Sequence, residues 1–288
     1  MAAATLARRM AISPPMRVAV VGHMEWCEFA QVPHVPTPGE IVHADRTFAE
    51  PGGGGAVAAV QLMKLAGSAT LFTALGDDET AHRSRDRLDE LGLDVQGDFR
   101  PEPQRRAFVH VDEPGERTIT VLGPRLGPRG ADQLDWDRLD DTDAVYLTAG
   151  DVDAVKHARR ARVLVATPRG LDTLADAHVE LDALVSSGRD PGELYREGDL
   201  DPVPKLVVRT LGATGGEWET ASGERGRWYP AELPGPVRDA YGAGDSFAAG
   251  LTYGLGAGWE IGRAVELAAR CGAACMTGSG PYEGQLTL

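Results

Sequence analysis

The residues with the clearest chemical potential form one run, Asp239-Ala240-Tyr241-Gly242-Ala243-Gly244-Asp245-Ser246-Phe247. Phe247, Leu251 and Leu255 recur at helical spacing and predict one apolar helix face over 243–256. Gly242, Ala243 and Gly244 then stand at a helix N-terminus. Amide N–H groups there lack intrahelical acceptors, and the helix dipole favours anions. Asp245 falls in the first turn beside those amides. A carboxylate so placed can take a proton from an attacking hydroxyl while the amides hold a phosphoryl group. A bare G-x-G-D string is common, and its ordinary reading is a helix that starts after a glycine turn. The rest of the chain has to decide between the two.

The elements that must position this run read as an alternation of strands and helices. Residues 17–22 are a short apolar stretch ending in Gly22, as in a buried parallel strand. Residues 40–44 suggest a short exposed strand, and Pro51-Gly52-Gly53-Gly54-Gly55 opens a helix that Gly67 stops. A second buried strand covers 69–75, and a charged amphipathic helix covers 79–91. Two stretches around Glu113-Pro114-Gly115-Glu116 predict a hairpin over 105–122, outside the core. Strands follow at 144–148, 162–166, 183–185 and 205–209, with helices near 151–160, 172–178 and 191–197. A second hairpin pairs 217–219 with 226–229, and helices over 243–256 and 260–275 close the chain. This order predicts an α/β fold with a central, mostly parallel sheet covered on both faces.

Composition narrows the classes of partner. The chain has 288 residues and a net charge of −14, which opposes binding to nucleic acid or to an anionic membrane. A phosphorylated ligand would need a local positive field. Hydrophobic content of 42% and charged content of 25% are those of a globular protein. Cys27, Cys271 and Cys275 have no C-x-x-C spacing, and small buried thiols are the expectation. Residues 1–15 lack an apolar run of signal-peptide length and are expected to be a disordered arm. Together these features place the protein in the cytoplasm.

The 239–247 run resembles the D-T-x-G-A-G-D-[ST]-F signature of the ribokinase (PfkB) family of carbohydrate and nucleoside kinases. Ala240 stands in place of its Thr. Further matches follow in order: Gly22, Pro38-Gly39-Glu40, Pro51-Gly52-Gly53-Gly54-Gly55-Ala56, Leu75-Gly76-Asp77-Asp78, Gly115-Glu116-Arg117-Thr118-Ile119 and Thr210-Leu211-Gly212-Ala213-Thr214-Gly215. The resemblance spans 16 to about 282 and implies one ribokinase-like α/β/α domain over 16–288, with β lid strands near 41–48 and 105–122. It implies phosphoryl transfer from ATP with Mg2+ to a hydroxyl of a sugar, polyol or nucleoside. Asp245 would be the base, and Gly242, Ala243 and Gly244 the anion hole. Thr210, Gly212, Gly215 and Ser187 would face the nucleotide. Asp239, the Tyr241 carbonyl and backbone near Cys275 and Gly280 would match a monovalent-cation site for K+. Closure of the lid would exclude water, and its exposed edges are compatible with a homodimer.

The departures from the family pattern fall on the acceptor side. Glu25 and Cys27 stand where sugar kinases carry the Asn and Asp of G-x-x-N-x-D, and a thiol is a poor partner for a diol. Val57 replaces an Asn after the glycine run, where Gly53 and Gly54 would line the acceptor site. Gly150 stands where some ribokinases have a Glu. Ser187-Gly188-Arg189-Asp190 replaces N-x-x-E, leaving Asp190 as the acid for Mg2+. Met24, Trp26 and Val57 either make the pocket apolar or belong to the core. His23 and His43 can reach a site, but a lone His more often packs or faces solvent. Two other classes compete with a kinase. One is a kinase-fold protein that binds ligand without turnover. The other is a dinucleotide enzyme, which fails because no G-x-G-x-x-G follows the first strand.

Overall fold

The computed structural model describes residues 16–288, so the arm expected over 1–15 lies outside the described residues. The chain opens with β1 (Val18–Val21), β2 (Glu25–Gln31), β3 (Arg46–Gly52), α1 (Gly53–Ala66), β4 (Thr70–Gly76) and α2 (Glu79–Glu90). Next come β5 (Asp94–Arg100), β6 (Arg106–Val111), β7 (Arg117–Leu122), β8 (Ala144–Leu147), α3 (Val152–Ala158), β9 (Val163–Ala166) and α4 (Leu171–Ala177). The last elements are β10 (Ala183–Ser187), β11 (Leu206–Thr210), β12 (Gly216–Thr220), β13 (Arg225–Trp228), α5 (Ala243–Gly256) and α6 (Ile261–Cys275).

Nine strands form one sheet in the order β13-β12-β11-β10-β9-β8-β1-β4-β5. Pairing is parallel from β5 to β11 and antiparallel for the last hairpin. Continuous apolar runs are what a strand needs when both its faces are covered, and β1, β4, β8 and β9 are buried throughout. Alternate residues serve the two cores. Val18 and Val20 face the layer of α1, α5 and α6, whereas Ala19 and Val21 face α3 and α4. The result is a three-layer α/β/α architecture. No helix among the described residues is long and apolar enough to cross a membrane.

A second sheet, β3-β2-β6-β7, stands off the body. Phe29 of β2 anchors it, stacking on Phe48 at 4.6 Å and meeting the Tyr241 ring edge-on at 5.1 Å. The outer strand β7 is exposed along its whole length.

The structure differs from the sequence expectation at four places. No strand forms over 40–44. Glu40 instead closes a turn, its carboxylate accepting from the Thr37 amide and hydroxyl, and the lid strand starts at Arg46. A strand not expected from the sequence, β2, begins at Glu25, paired on one side with β3 and on the other with β6. The polar edge strand β5 carries no apolar signal and pairs only with β4. The helix expected over 191–197 is a single 3-10 turn, Pro191–Glu193, because Pro-Gly has low helical propensity and Asp190 caps the turn at the Gly192 amide.

Candidate active site

The C-terminal ends of the parallel strands and the start of α5 converge on one cleft, with the lid sheet on its far side. Gly242 has φ of 79°, the left-handed region that favours glycine, and begins α5 with no side-chain cap. The first helical bond, Ser246 N–H to the Gly242 carbonyl, is 2.8 Å. The amides of Gly244 and Asp245 therefore have no acceptor within the helix and remain available to an anion.

Asp245 is half-buried in the first turn. Its carboxyl is pushed up to about 6, chiefly by burial and then by the negative charge of Glu193; Arg169 and Arg117 oppose the shift. Its Oδ1 lies so close to Gly54 that a Cβ built on Gly54 would sit 2.8 Å away. That approach explains glycine at 54. The start of α1 and the start of α5 thus form facing walls.

Tyr241 ties these walls to the lid. Its hydroxyl accepts from the Gly53 amide at 2.8 Å, lies 3.1 Å from the Cys27 thiol, and donates to Glu25 Oε1 at 3.4 Å. Burial pushes both the Tyr241 phenol and the Cys27 thiol far up, so both stay neutral. Ala240, in place of the signature Thr, donates its amide to the Gly115 carbonyl of the lid hairpin at 2.9 Å.

Among the residues expected on the acceptor side, Glu25 is buried, with Oε2 accepting from Arg105 Nε at 2.8 Å. Cys27 and Val57 are fully buried in the core, Val57 against Gly242. Gly53 and Gly54 line the wall opposite Asp245.

Thr210, Gly212, Gly215 and Ser187 are brought together at the ends of β10 and β11. The Thr210 hydroxyl donates to the Ser186 carbonyl, and the Leu211 amide to the Gly215 carbonyl at 2.8 Å. The Ser187 hydroxyl accepts from the Arg189 and Asp190 amides. Asp190 is bonded to Arg169, which also holds Glu193 at 2.6 Å. Asp239 is fully buried, its two oxygens accepting from the Tyr241 amide at 2.8 Å and the Gly280 amide at 2.9 Å. The Tyr241 carbonyl accepts from the Cys275 thiol.

Several cleft residues carried no local sequence signal. Arg105 and Arg125 sit in loops without periodicity, and Arg169 and Glu193 in single 3-10 turns. Of the buried side-chain atoms without a hydrogen-bond partner among the described residues, two are His23 Nδ1 and Thr148 Oγ1. They follow β1 and β8, neighbouring strands in which Val21 is level with Leu147. Asp78, of the Gly-Asp-Asp turn, caps α2 at the Ala81 amide and binds the Gln104 amide, both at 2.8 Å. It therefore fixes the entry of the lid hairpin. His43 is exposed ahead of β3.

Comparison with known proteins is consistent over most of the described chain. The model of the pfkB family of carbohydrate kinases matches residues 16–184 and 199–288. A relative from Halopiger xanaduensis, described as an ATP-dependent ribose-1-phosphate kinase, is 28% identical over 281 residues, covering 90% of this chain and 91% of its own. Ribokinase from Thermotoga maritima superposes with a TM-score of 0.74 at 21% identity, covering 94% of this chain and 96% of its own. Arabidopsis thaliana ribokinase, complexed with ribose and ATP, superposes with a TM-score of 0.72 at 20% identity, covering 94% and 96%. A nucleoside kinase from Methanocaldococcus jannaschii, an archaeal member of the ribokinase family, has a TM-score of 0.71 at 18% identity, covering 94% and 95%.

Proposed function

This chain belongs to the pfkB family of carbohydrate kinases, phosphotransferases with a hydroxyl acceptor, and from that premise we propose ATP-dependent transfer of the γ-phosphate to a hydroxyl of a small sugar-like substrate, with Asp245 as general base. The observation that carries the reading is the Asp245 carboxylate in the first turn of α5, beside unpaired amides and facing Gly54. In the transfer, the acceptor oxygen forms a bond to the γ-phosphorus as the bond to the β,γ-bridging oxygen breaks, leaving ADP. Asp245 receives the hydroxyl proton. A carboxyl raised to about 6 is still ionised near neutral pH and is a stronger base than an ordinary aspartate. Of the expected Gly242, Ala243 and Gly244 set, the Ala243 amide donates to the Ala240 carbonyl, and the amides of Gly244 and Asp245 would hold the charge of the transferring group. Thr210, Gly212, Gly215 and Ser187 would border the nucleotide. The Halopiger relative and the ribose complex support a sugar acceptor.

The donor set fits Mg2+ carried in on the ATP phosphates. Among the described residues no group of three or more His, Cys, Asp or Glu forms a cage of its own. Mg2+ would neutralise phosphate charge, with Asp190 as the nearby acid once Arg169 yields it. A monovalent cation such as K+ would take Asp239 and the Tyr241 carbonyl near Gly280. Asp239 is buried with no ion-pair partner among the described residues, the setting in which a cation is favoured.

A second reading, a ligand-binding protein with impaired catalysis, is favoured by the engagement of Asp190 with Arg169. ADP release measured over sugars, polyols, nucleosides and their monophosphates separates the two. Turnover with one acceptor class, abolished in Asp245→Asn, is the expected result. ATP binding without turnover on any acceptor would establish the second reading.

A further inference from the structure

We infer that Arg105 and Arg125 form an anion subsite on the lid side of the Asp245 cleft, built to hold a phosphate monoester already carried by the acceptor. This rests on the phosphoryl-transfer reading for the word acceptor, but not for the subsite itself.

Placement comes first. Gln104 is buried and bonded on both sides, its Nε2 to the Met24 carbonyl at 2.9 Å and its Oε1 to the Gly76 amide at 3.0 Å. The backbone that carries Arg105 is therefore fixed at the mouth of the cleft. The segment after β7 then returns from lid to body. A Cβ on Gly123 would lie 3.9 Å from the Arg105 Cα, and one on Gly127 would lie 3.3 Å from the Gly150 amide nitrogen beyond β8. Arg125 is midway along this span and half-buried.

Charge is the second point. Arg105 uses only Nε on Glu25, and neither of its Nη groups bonds to the protein among the described residues. Arg125 has no hydrogen bond or ion pair among them. Arg169 is nearby but already held by Asp190 and Glu193. Arg125 is thus the one of these three guanidinium groups left without a carboxylate partner, in a chain whose net charge is −14. An exposed arginine needs no partner. A half-buried one loses hydration and repels its neighbours until an anion arrives. Burial, and then Arg105 and Arg169, hold the Arg125 guanidinium below its usual range.

The third point is that two of the buried atoms without partners, His23 Nδ1 and Thr148 Oγ1, lie at the foot of the same cleft. Burial and the charges of Arg125, Arg105 and Arg169 keep His23 neutral. A neutral Nδ1 and a hydroxyl suit the hydroxyls of a sugar. An acceptor spanning from Asp245 to the two arginines would satisfy both. Two guanidinium forks match a phosphate monoester better than an uncharged sugar.

The test is calorimetric binding, without ATP, of ribose, ribose 1-phosphate, ribose 5-phosphate and inorganic phosphate. At least one monophosphate should bind about 100-fold more tightly than ribose, since each charge-assisted contact is worth on the order of 10- to 100-fold. Arg125→Gln should weaken that ligand by a similar factor, Arg125→Lys less so, and neither should change the affinity for ATP. The unliganded Arg125→Gln protein should melt no lower than wild type, because an unneutralised charge is removed; a merely structural arginine would lower the melting temperature. Ribose binding as well as its monophosphates overturns the subsite, as does failure of every phosphate to bind. A loss of ATP affinity in Arg125→Gln also overturns it, because the arginines would then serve the nucleotide. These equilibria do not depend on turnover, so failure of the kinase reading would show separately, as absent ADP release.

Discussion

The Gly53 amide and the Tyr241 hydroxyl, 188 residues apart in sequence, meet in a buried 2.8 Å hydrogen bond. That bond joins the start of α1 to the loop that launches α5, and Tyr241 reaches on to Glu25 and Cys27 of the lid sheet. Tyr241→Phe leaves the Gly53 amide without an acceptor in a buried site. A stability loss of about 1–3 kcal/mol is expected, from the unmet donor rather than the lost contact area. Chemical denaturation measures it. Unchanged stability would mean that the start of α1 is held by other contacts.

Asp245→Asn keeps the shape of the side chain and removes the base. The expected loss in kcat is on the order of 100- to 10,000-fold, with the KM for ATP nearly unchanged. Steady-state kinetics on whichever acceptor proves active decides the matter, and near-normal turnover would remove Asp245 from the mechanism.

The raised carboxyl of Asp245 has two consequences with pH. Activity should fall as pH drops through about 6, because the base becomes protonated, and should level off above pH 7. The folded state prefers the protonated form relative to the unfolded chain. The ionised carboxylate therefore costs stability at high pH, and the cost vanishes below the unfolded value near 4. Asp245→Asn should be more stable than wild type at pH 8 by about 1–2 kcal/mol, allowing for partial solvent screening, and the gain should shrink as pH falls from 6 to 4. Melting curves across pH test it. A gain that persists at pH 4 would contradict the linkage.

Gly54→Ala places a methyl group 2.8 Å from Asp245 Oδ1, closer than real Cβ contacts allow. The carboxylate must turn away. A drop in kcat of about 10- to 100-fold is expected from misplacement alone. A crystal structure of the variant would show the rotated side chain. Full activity with Asp245 undisplaced would mean that α1 shifts instead.

The buried Asp239 carboxylate predicts faster turnover in K+ than in choline at equal ionic strength, because a cation near it would stiffen the loop before α5. Equal rates in the two buffers would leave the loop held by its own bonds to the Tyr241 and Gly280 amides.

The local features of this protein were determined by its sequence. The anion-hole run is contiguous, so residue type and helical spacing were enough to place Gly242, Ala243, Gly244 and Asp245 at one helix start. The buried strands β1, β4, β8 and β9 could be read because a strand covered on both faces must be apolar throughout. Edge strands obey no such rule, which is why β5 left no trace; β2 was not assigned from the sequence either, because the partners it pairs with, β3 and β6, are distant in the chain. Only the tertiary structure decided which distant side chains share the cleft. Charge, burial and unmet hydrogen bonds are properties of neighbourhoods, not of positions in a chain. Glu193 near Asp245, Arg125 swung back beside Arg105, and His23 and Thr148 just beyond the ends of β1 and β8 follow from parallel strands that end at one edge and a lid that returns to the body. Asp245 thus had its identity from the sequence, and its raised carboxyl and facing wall at Gly54 from the fold.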